Sequence, residues 1–567
     1  MLTGLNGNHA TAVLTVGESP HGYNLPGVPD GIGVFELPTG QIRVLVNSKI
    51  EEDAGGSYYL DNTLLLNGSR IWALDLNLVT RELERSSIAY RKILDRNGSN
   101  VAVATQINQN GSVVSGLSNL SGGTLVPALH FNLQDDIFFA GEATANGTFY
   151  ALDAYGETLH AINAWGHATW KSLALFDGQS GSVSALLTLD RPDSPLLQWI
   201  GSPGEGTGNG FLNNNGLESG DLFVWVPNES ITQGTLKGTN AEQEGHFVQL
   251  PIYQPDKAGT PGFDTSGYAS ETTLLSMADN AGAYRFTYPG GLSVNPNQTN
   301  QVAMTTTGDG NNPTGNAWGS ILVITTIPDD NSANIRIVYD GDDISSNNLP
   351  NADFGMRNPG AVEWANTNRL YIQETGTLHN ALFGKVSGQE TSAWEYNLET
   401  GASFRIARIN RSARPFGLPD QQPAITGAWS LGGIRDVSTN FTLPEESTLF
   451  LTTVQAHTIQ DSLSDKYVEG GQLLFLAGQT IFDPSTSIRF LEKNIAFQVY
   501  PNPALQDMIH LQFEAPQAGN AKLIATSISG QQWKLWELRL QSGQNNLDLN
   551  LPEQLPAGVL FLQIKGD

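Results

Sequence analysis

Ile71-Trp72-Ala73-Leu74-Asp75 is a short apolar strand running into a polar turn, and the chain repeats it in outline five more times. The counterparts are Phe149-Tyr150-Ala151-Leu152-Asp153, Asp221-Leu222-Phe223-Val224-Trp225, Ile321-Leu322-Val323-Ile324, Ala393-Trp394-Glu395-Tyr396-Asn397 and Leu473-Leu474-Phe475-Leu476. Their starting positions lie 78, 72, 100, 72 and 80 residues apart. Further strand-like runs fall between them, among them Asp136–Gly141, Arg369–Gln373 and Thr448–Thr452. Each unit has room for about four short strands plus loop insertions, and six such sheets describe a six-bladed β-propeller. Unrelated hairpins in two sandwiches would share the strand content but not the recurrence.

The texture around the repeat is all-β. Asn-Gly pairs recur at Asn67-Gly68, Asn97-Gly98, Asn110-Gly111, Asn146-Gly147, Asn209-Gly210 and Asn215-Gly216. Both residues tolerate positive φ, which tight hairpin turns demand. Long stretches of helical period are nearly absent.

Composition narrows the function. The 567 residues carry 29 basic and 56 acidic side chains, a formal net charge of −27, and no cysteine. Disulfides, thiolate metal sites and cysteine nucleophiles are thereby excluded. Charged residues make up only 15% of the chain, so the acidity reflects scarce Lys and Arg. Such a surface repels phosphate backbones and anionic lipid, which argues against nucleic-acid binding. No run approaches the apolar length of a transmembrane segment. Met1-Leu2-Thr3-Gly4 lacks the basic start of a secretory leader, and Thr11–Val16 is too short for its apolar segment.

After residue 497 the pattern changes. Val499-Tyr500-Pro501-Asn502-Pro503 carries two prolines and cannot be an interior strand. Beyond it Met508–Phe513, Ala521–Ile528, Trp533–Leu540, Asn546–Leu551 and Gly558–Ile564 read as five strands of a small β-sandwich. The expected organisation is a propeller over residues 1–497 and a sandwich over 498–567.

Residues 499–567 resemble the type A sorting domain of the Bacteroidetes type IX secretion system. The resemblance rests on Tyr500, Pro501, Asn502 and Pro503, the Gly530 turn, the Leu547/Leu549 alternation and the segment Leu555-Pro556-Ala557-Gly558-Val559-Leu560-Phe561. It implies passage through the type IX translocon to the outer-membrane surface or beyond in a Gram-negative bacterium, with a leader expected outside the present sequence.

The large domain resembles the PhoX-type alkaline phosphatase family. The segments are Pro26–Gly33, Arg43–Asn47, Phe138–Glu142, Arg369–Glu374, Gln455-Ala456-His457 and Glu469–Phe475, in the family's order. The family fold is a six-bladed propeller, in agreement with the repeat count. Its members are calcium-dependent phosphoesterases, some also using iron, with the metals in a central funnel.

Calcium requires six to eight oxygens, mostly from carboxylates, and most of the family's acids are replaced here. Asn-His-Glu becomes Asn47-Ser48-Lys49, and Gly-Glu-Glu becomes Gly141-Glu142-Ala143. Arg-Pro-Glu-Asp becomes Tyr288-Pro289-Gly290-Gly291, and the Asn-Pro-acid turn becomes Asn358-Pro359-Gly360. Gln-Glu-Asp becomes Gln373-Glu374-Thr375, and Trp-Glu-Thr-Ser-Gly becomes Trp429-Ser430-Leu431-Gly432-Gly433. An ammonium about 4 Å from a unit charge is worth roughly 4 kcal/mol at an effective dielectric near 20, and a divalent ion feels it twice over. Asn47, Glu142, Glu374, Asp436 and Glu469, with His457 nearby in motif terms, remain as residual ligands for at most a single calcium. The same residues can equally brace blade loops, and the balance favours that role. Asp340-Gly341-Asp342-Asp343 and Asp95-Arg96-Asn97-Gly98 lack a spaced Glu and read as turns.

The expected function is a surface-delivered pseudoenzyme that binds a surface protein, a glycan or copies of itself. The alternative is a calcium-dependent phosphoesterase with a rearranged metal site. A lyase or glycosidase built on a carboxylate pair is the weakest of the three readings.

Overall fold

The computed structural model describes residues 1–22, 25–61, 63–107, 115–208, 210–311, 316–366, 368–378, 380–415, 418–444, 447–460, 467–479, 498–500, 508–515, 518–527, 532–551 and 560–566. The chain divides into two compact units, Met1–Ile481 and Phe482–Asp567.

The first unit is a six-bladed β-propeller. Its blades start on the inner strands Pro29–Leu37, Leu120–Val126, Trp170–Phe176, Pro289–Val294, Pro359–Asn366 and Ser430–Asp436, here blades 1 to 6. Each inner strand packs against the next, and that of blade 6 against that of blade 1, so the ring is closed. The repeated motif is the third strand in five blades: Ile71–Asn77, Phe149–Asp153, Ser320–Ile327, Ser392–Asn397 and Gly470–Gln479. In blade 3 it is the fourth strand, Gly220–Pro227. The long spacing that follows holds the strand Glu242–Leu250 and an insertion with the helix Glu271–Ala281. Glu242–Leu250 pairs with blade 3 on one side and with Ser332–Asp340 of blade 4 on the other.

Apolar burial explains why blades stack. Ile71–Leu76 is buried at every position, because a blade's middle strands are covered on both faces. Six apolar clusters lie one between each pair of neighbouring blades. Between blades 2 and 3 the wedge is aromatic: Phe149 meets Trp165 and Trp170 edge-on, at 4.9 and 5.6 Å between ring centres. Such pairs add about 1 kcal/mol each beyond their area burial.

The N-terminal residues close the ring. Leu2–Gly4 is the edge strand of blade 5, and His9–Thr15 is the outer strand of blade 6 against Gly470–Gln479. The short apolar run near the N-terminus is thus a sheet strand. Of the Asn-Gly pairs, Asn146-Gly147 sits in a hairpin link of blade 2, with Asn146 at φ 55. Asn67-Gly68 instead ends the strand Leu64–Gly68. Asn110-Gly111 and Asn209 lie outside the described residues.

The second unit contains two three-stranded antiparallel sheets. One has Met508–Ala515 between Gln498–Tyr500 and Gly543–Asn550; the other has Gly519–Ser527 between Gln532–Leu540 and Leu560–Gly566. Ile509, Leu511 and Leu549 from the first share a core with Ala521, Leu523 and Leu538 from the second. Tyr500 closes an edge strand, as its flanking prolines require. Pro501, Asn502, Pro503, Gly530 and Gly558 lie outside the described residues. No helix among the described residues is long and apolar enough to cross a membrane.

Candidate functional site

Every inner strand carries a register irregularity near its start, at Pro29/Ile32, Ser121/Thr124, Trp170/Ser172, Pro289/Leu292, Pro359/Val362 and Leu431/Ile434. Bulges re-aim side chains at barrel and hub rims. In five blades the bulge carries glycine: Gly31, Gly122-Gly123, Gly290-Gly291, Gly360 and Gly432-Gly433. These residues bring backbone against backbone. A Cβ on Gly290 would overlap the Gly360 carbonyl, one on Gly31 would overlap the Gly123 backbone, and one on Gly433 would stand 2.5 Å from the Asp30 carbonyl. Gly290 and Gly360 therefore leave no room for the carboxylates that the resemblance would place there. Val28, Asn119, Tyr288 and Asn358 enter the inner strands of blades 1, 2, 4 and 5 with φ of 54, 47, 45 and 44°. Left-handed backbone at β-branched Val28 is costly; its recurrence at four blade entries marks it as a feature of the rim.

The inner strands enclose a cavity of about 500 Å³. One end of it holds Asp30, Lys49, Lys171, Asp190 and Gln455. Lys49 Nζ lies 2.6 Å from Asp190 Oδ2, and Lys171 Nζ lies 3.5 Å from the same oxygen. Asp30 accepts from Gly122 N at 2.8 Å and from Gln455 Nε2 at 3.0 Å. Burial opposes charge on both lysines. Asp190 and Asp30 nevertheless hold the Lys49 ammonium above the ordinary range. Lys171 is held below it by burial and the neighbouring Lys49, against the pull of both acids.

Farther along the inner strands the cavity meets Glu363 and Arg435, whose charges stand 3.7 Å apart. Arg435 also donates to the Leu125 carbonyl of blade 2 at 3.5 Å. Burial raises the Glu363 carboxyl, and Arg435 counters it.

The altered positions Lys49, Gly290, Gly291, Gly360, Thr375 and Ser430 come together around the cavity with Asp436, whereas Asn47, Glu142, Glu374 and Glu469 are not in its lining and are each engaged by other partners. Asn47 is fully buried and donates to the Leu120 carbonyl at 2.6 Å. Ser48 Oγ accepts from Arg70 N at 3.1 Å and donates to the Arg70 carbonyl at 3.2 Å. Glu142 is buried between Ser118 N and Thr148 N, both at 3.0 Å, and burial raises its pKa. Ala143 N donates to the Asn119 carbonyl. Glu374 takes both arms of Arg357, at 2.9 and 3.2 Å, with Trp394 Nε1 and Ser392 N each at 2.9 Å. Its carboxylate has no remaining direction for a cation. Ser430 Oγ donates to the Thr375 carbonyl, and Thr375 Oγ1 to the Asn358 carbonyl. Asp436 accepts from Ser438 N at 2.8 Å at the far end of its strand, beside Glu363. Glu469 Oε2 lies 2.6 Å from His457 Nδ1. Among the described residues no three His, Asp or Glu side chains converge as a metal site. The acids of Asp340–Asp343 accept backbone N–H groups, as does Asp95, and both segments are turns.

Lys171, Asp190, Glu363 and Arg435 were missed by sequence reasoning. A lysine inside Trp170-Lys171-Ser172-Leu173, in a chain poor in lysine, was the available signal.

The architecture defines a six-bladed propeller whose inner strands line a polar-ended hub. Among solved structures the chain is similar to PhoX of Pseudomonas fluorescens, described in complex with vanadate, a transition state analogue. The TM-score is 0.57 at 12% identity, over 85% of this chain and 96% of PhoX. At that identity the likeness is one of fold. Saccharomyces cerevisiae Sqt1 aligns over 84% of this chain and 99% of its own at TM-score 0.31 and 10% identity, too distant to support an argument. No protein-family model and no curated protein matches the chain.

Proposed function

We propose that this PhoX-like propeller is a secreted or outer-membrane surface protein that binds a partner and does not hydrolyse phosphoesters. The observation that carries the reading is the Lys49–Asp190 ion pair at the mouth of the hub. Lys49 and Lys171 offset the charges of Asp190 and Asp30, so the cluster has no net negative charge to draw a divalent ion, and the Asp190 carboxylate is already engaged by both lysines. The full commitment of Glu374 to Arg357 supports the same reading. Glu363 and Asp436 lie side by side in the hub, but Arg435 stands 3.7 Å from Glu363 and opposes a cation there.

The exposed apolar side chains on the loops of blade 5 support this reading. Leu378, Leu382 and Val386 are each more than half exposed, and the adjoining loop brings Ile425. Gly384 lies against Thr426, so the two loops are neighbours. Clustered exposed apolar side chains are a common mark of protein interaction sites, which favours a surface protein or a second copy. The C-terminal segment 498–567 would deliver the chain through the type IX translocon.

Elemental analysis of the purified full chain, with an aryl phosphate assay in added calcium, tests the reading. Sub-stoichiometric metal and no turnover are expected. Stoichiometric calcium with chelator-sensitive hydrolysis would establish the phosphoesterase instead. For delivery, a chain lacking residues 499–567 is expected to accumulate in the periplasm, and normal surface display of it would remove the sorting assignment.

A further inference from the structure

The mouth of the hub has an unusual charge arrangement. Lys49 of blade 1 reaches Asp190 of blade 3 past the inner strand of blade 2, and Lys171, on the strand next to Asp190 within blade 3, meets the same carboxylate. Asp30 completes the set with its own hydrogen bonds to Gly122 and Gln455. Tyr288 is the other titratable group facing Asp190, its phenol raised chiefly by burial. Two ammonium groups against two carboxylates leave no surplus charge, so the cluster attracts neither a free anion nor a cation strongly. What remains is amine chemistry. Lys49 has the closer hold on Asp190, at 2.6 against 3.5 Å. Both amines line the cavity, and Lys171 has the weaker ion pair of the two.

We propose that Lys171 captures a small aldehyde or ketone in the hub as an imine, with Asp190 relaying the proton. The free amine of Lys171 attacks the carbonyl carbon, forming a C–N bond as the C=O π pair moves to oxygen. Asp190 takes the proton shed by nitrogen and returns it to the carbinolamine oxygen. The Lys49 ammonium, through Asp190, supplies a second proton to that hydroxyl, which leaves as water while the nitrogen lone pair closes the C=N bond, and the iminium N–H proton returns to Lys49 by the same route. The net change is amine plus carbonyl to imine plus water, with no oxidant, reductant or metal required. A desolvated lysine beside a second cation is a recognised way to make an amine nucleophilic near neutrality. Each unit by which an amine's pKa falls gives about ten times more free base at neutral pH, and both burial and Lys49 lower that of Lys171. The cavity, about 500 Å³ with Ile32, Leu173, Leu292, Val362 and Ile434 in its wall, is large enough for a carbonyl compound of aromatic-ring or monosaccharide size.

The test uses the full chain in chelator, so that any metal in the hub plays no part. It is incubated at neutral pH with benzaldehyde and cyanoborohydride, and the rate of benzylation is read at each lysine by peptide mass spectrometry. Lys171 is expected to react measurably faster than exposed lysines such as Lys257. Lys171→Arg keeps the positive charge and the ion pair and should abolish the fast adduct. Lys49→Met removes the neighbouring ammonium that lowers the pKa of Lys171 and should slow it severalfold. If Lys171 reacts no faster than exposed lysines, or if Lys49→Met leaves its rate unchanged, the proposal is wrong. Should Lys171→Arg fail to fold, the site-resolved rates of the unaltered protein still decide.

Discussion

Lys49 of blade 1 lies 2.6 Å from Asp190 of blade 3, so one ion pair ties two blades together over the inner strand of the blade between them. Removing the shared carboxylate strands two partly buried ammonium groups; removing one lysine strands none. Asp190→Asn is therefore expected to lower unfolding stability by about 2 kcal/mol, less than the roughly 3–5 kcal/mol of fully buried pairs because the lysine side chains are about a fifth exposed. Lys49→Met should cost less than about 1 kcal/mol, since a hydrophobic isostere replaces one partner of a pair that Lys171 can fill. Urea unfolding of both variants checks this; equal losses would mean that the pair is not shared.

The same cluster explains how cations are kept from the hub. The double variant Lys49→Glu, Lys171→Gln places a third carboxylate beside Asp30 and Asp190. Calcium binding with a dissociation constant on the order of 10⁻⁴ to 10⁻³ M is then expected, the range of weak oxygen-ligand sites. Gly360→Asp, by contrast, should bring no calcium affinity. Its side chain would collide with Thr375, and overpacking of this kind costs about 1–3 kcal/mol. Isothermal titration separates the two cases. Calcium binding by Gly360→Asp would mean that the rim opens more readily than its backbone contacts imply.

Much of this architecture was legible in the sequence, for a physical reason. The third strand of a blade is covered on both faces, so it reads as an unbroken apolar run and recurs detectably: Ile71–Asn77 and Phe149–Asp153 differ in every side chain but the Ala-Leu-Asp core. The destination of the N-terminal strands was not legible. His9–Thr15 pairs with residues more than 450 positions away, and nothing local distinguishes it from any other short strand. The hub was legible only in negative. Motif alignment pointed to Lys49, Gly290 and Gly360 as departures; the two glycines meet each other in the rim, but the partner of Lys49 lay outside every motif. Asp190 and Lys171 sit in blade 3, which contributed no family motif. The Arg357 that occupies Glu374 is 17 residues away in a loop whose fold the sequence does not announce.

Stability should fall on acidification, with His160 as one identifiable cause. The ring is buried in blade 2, stacked on Phe211 at 4.4 Å between centres. Burial, and then the Lys92 ammonium, lowers its pKa from 6.5 to about 4. The unfolded chain takes up a proton below pH 6.5, whereas the folded chain resists until about 4. The stabilising contribution is therefore full above pH 6.5 and is lost as the pH falls towards 4, an effect of about 3 kcal/mol at most. Buried His167, also lowered chiefly by desolvation, acts in the same direction. Replacing His160 with Phe should flatten the dependence of the urea midpoint between pH of about 7 and about 4.5. An unchanged slope would show that His160 protonates as readily in the folded chain as in the unfolded one.

The ring's closure also makes a prediction about its N-terminus. His9–Thr15 covers the outer edge of Gly470–Gln479, and Leu2–Gly4 covers that of Ser403–Ile409. Deleting residues 1–16 strips two blades of their outer strands and exposes backbone donors and acceptors along apolar sheets, a template for intermolecular pairing. It also removes Leu14 and Val16 from the cluster between blades 6 and 1, where losing a single large apolar side chain costs about 2–5 kcal/mol. The truncated chain is expected to aggregate on size-exclusion chromatography and to lose cooperative thermal unfolding. Deleting residues 498–567 should leave the propeller's melting transition in place, because each of its six inter-blade clusters is built from residues before position 481. A monomeric, cooperatively melting chain without residues 1–16 would mean that the ring is held by its inner strands alone.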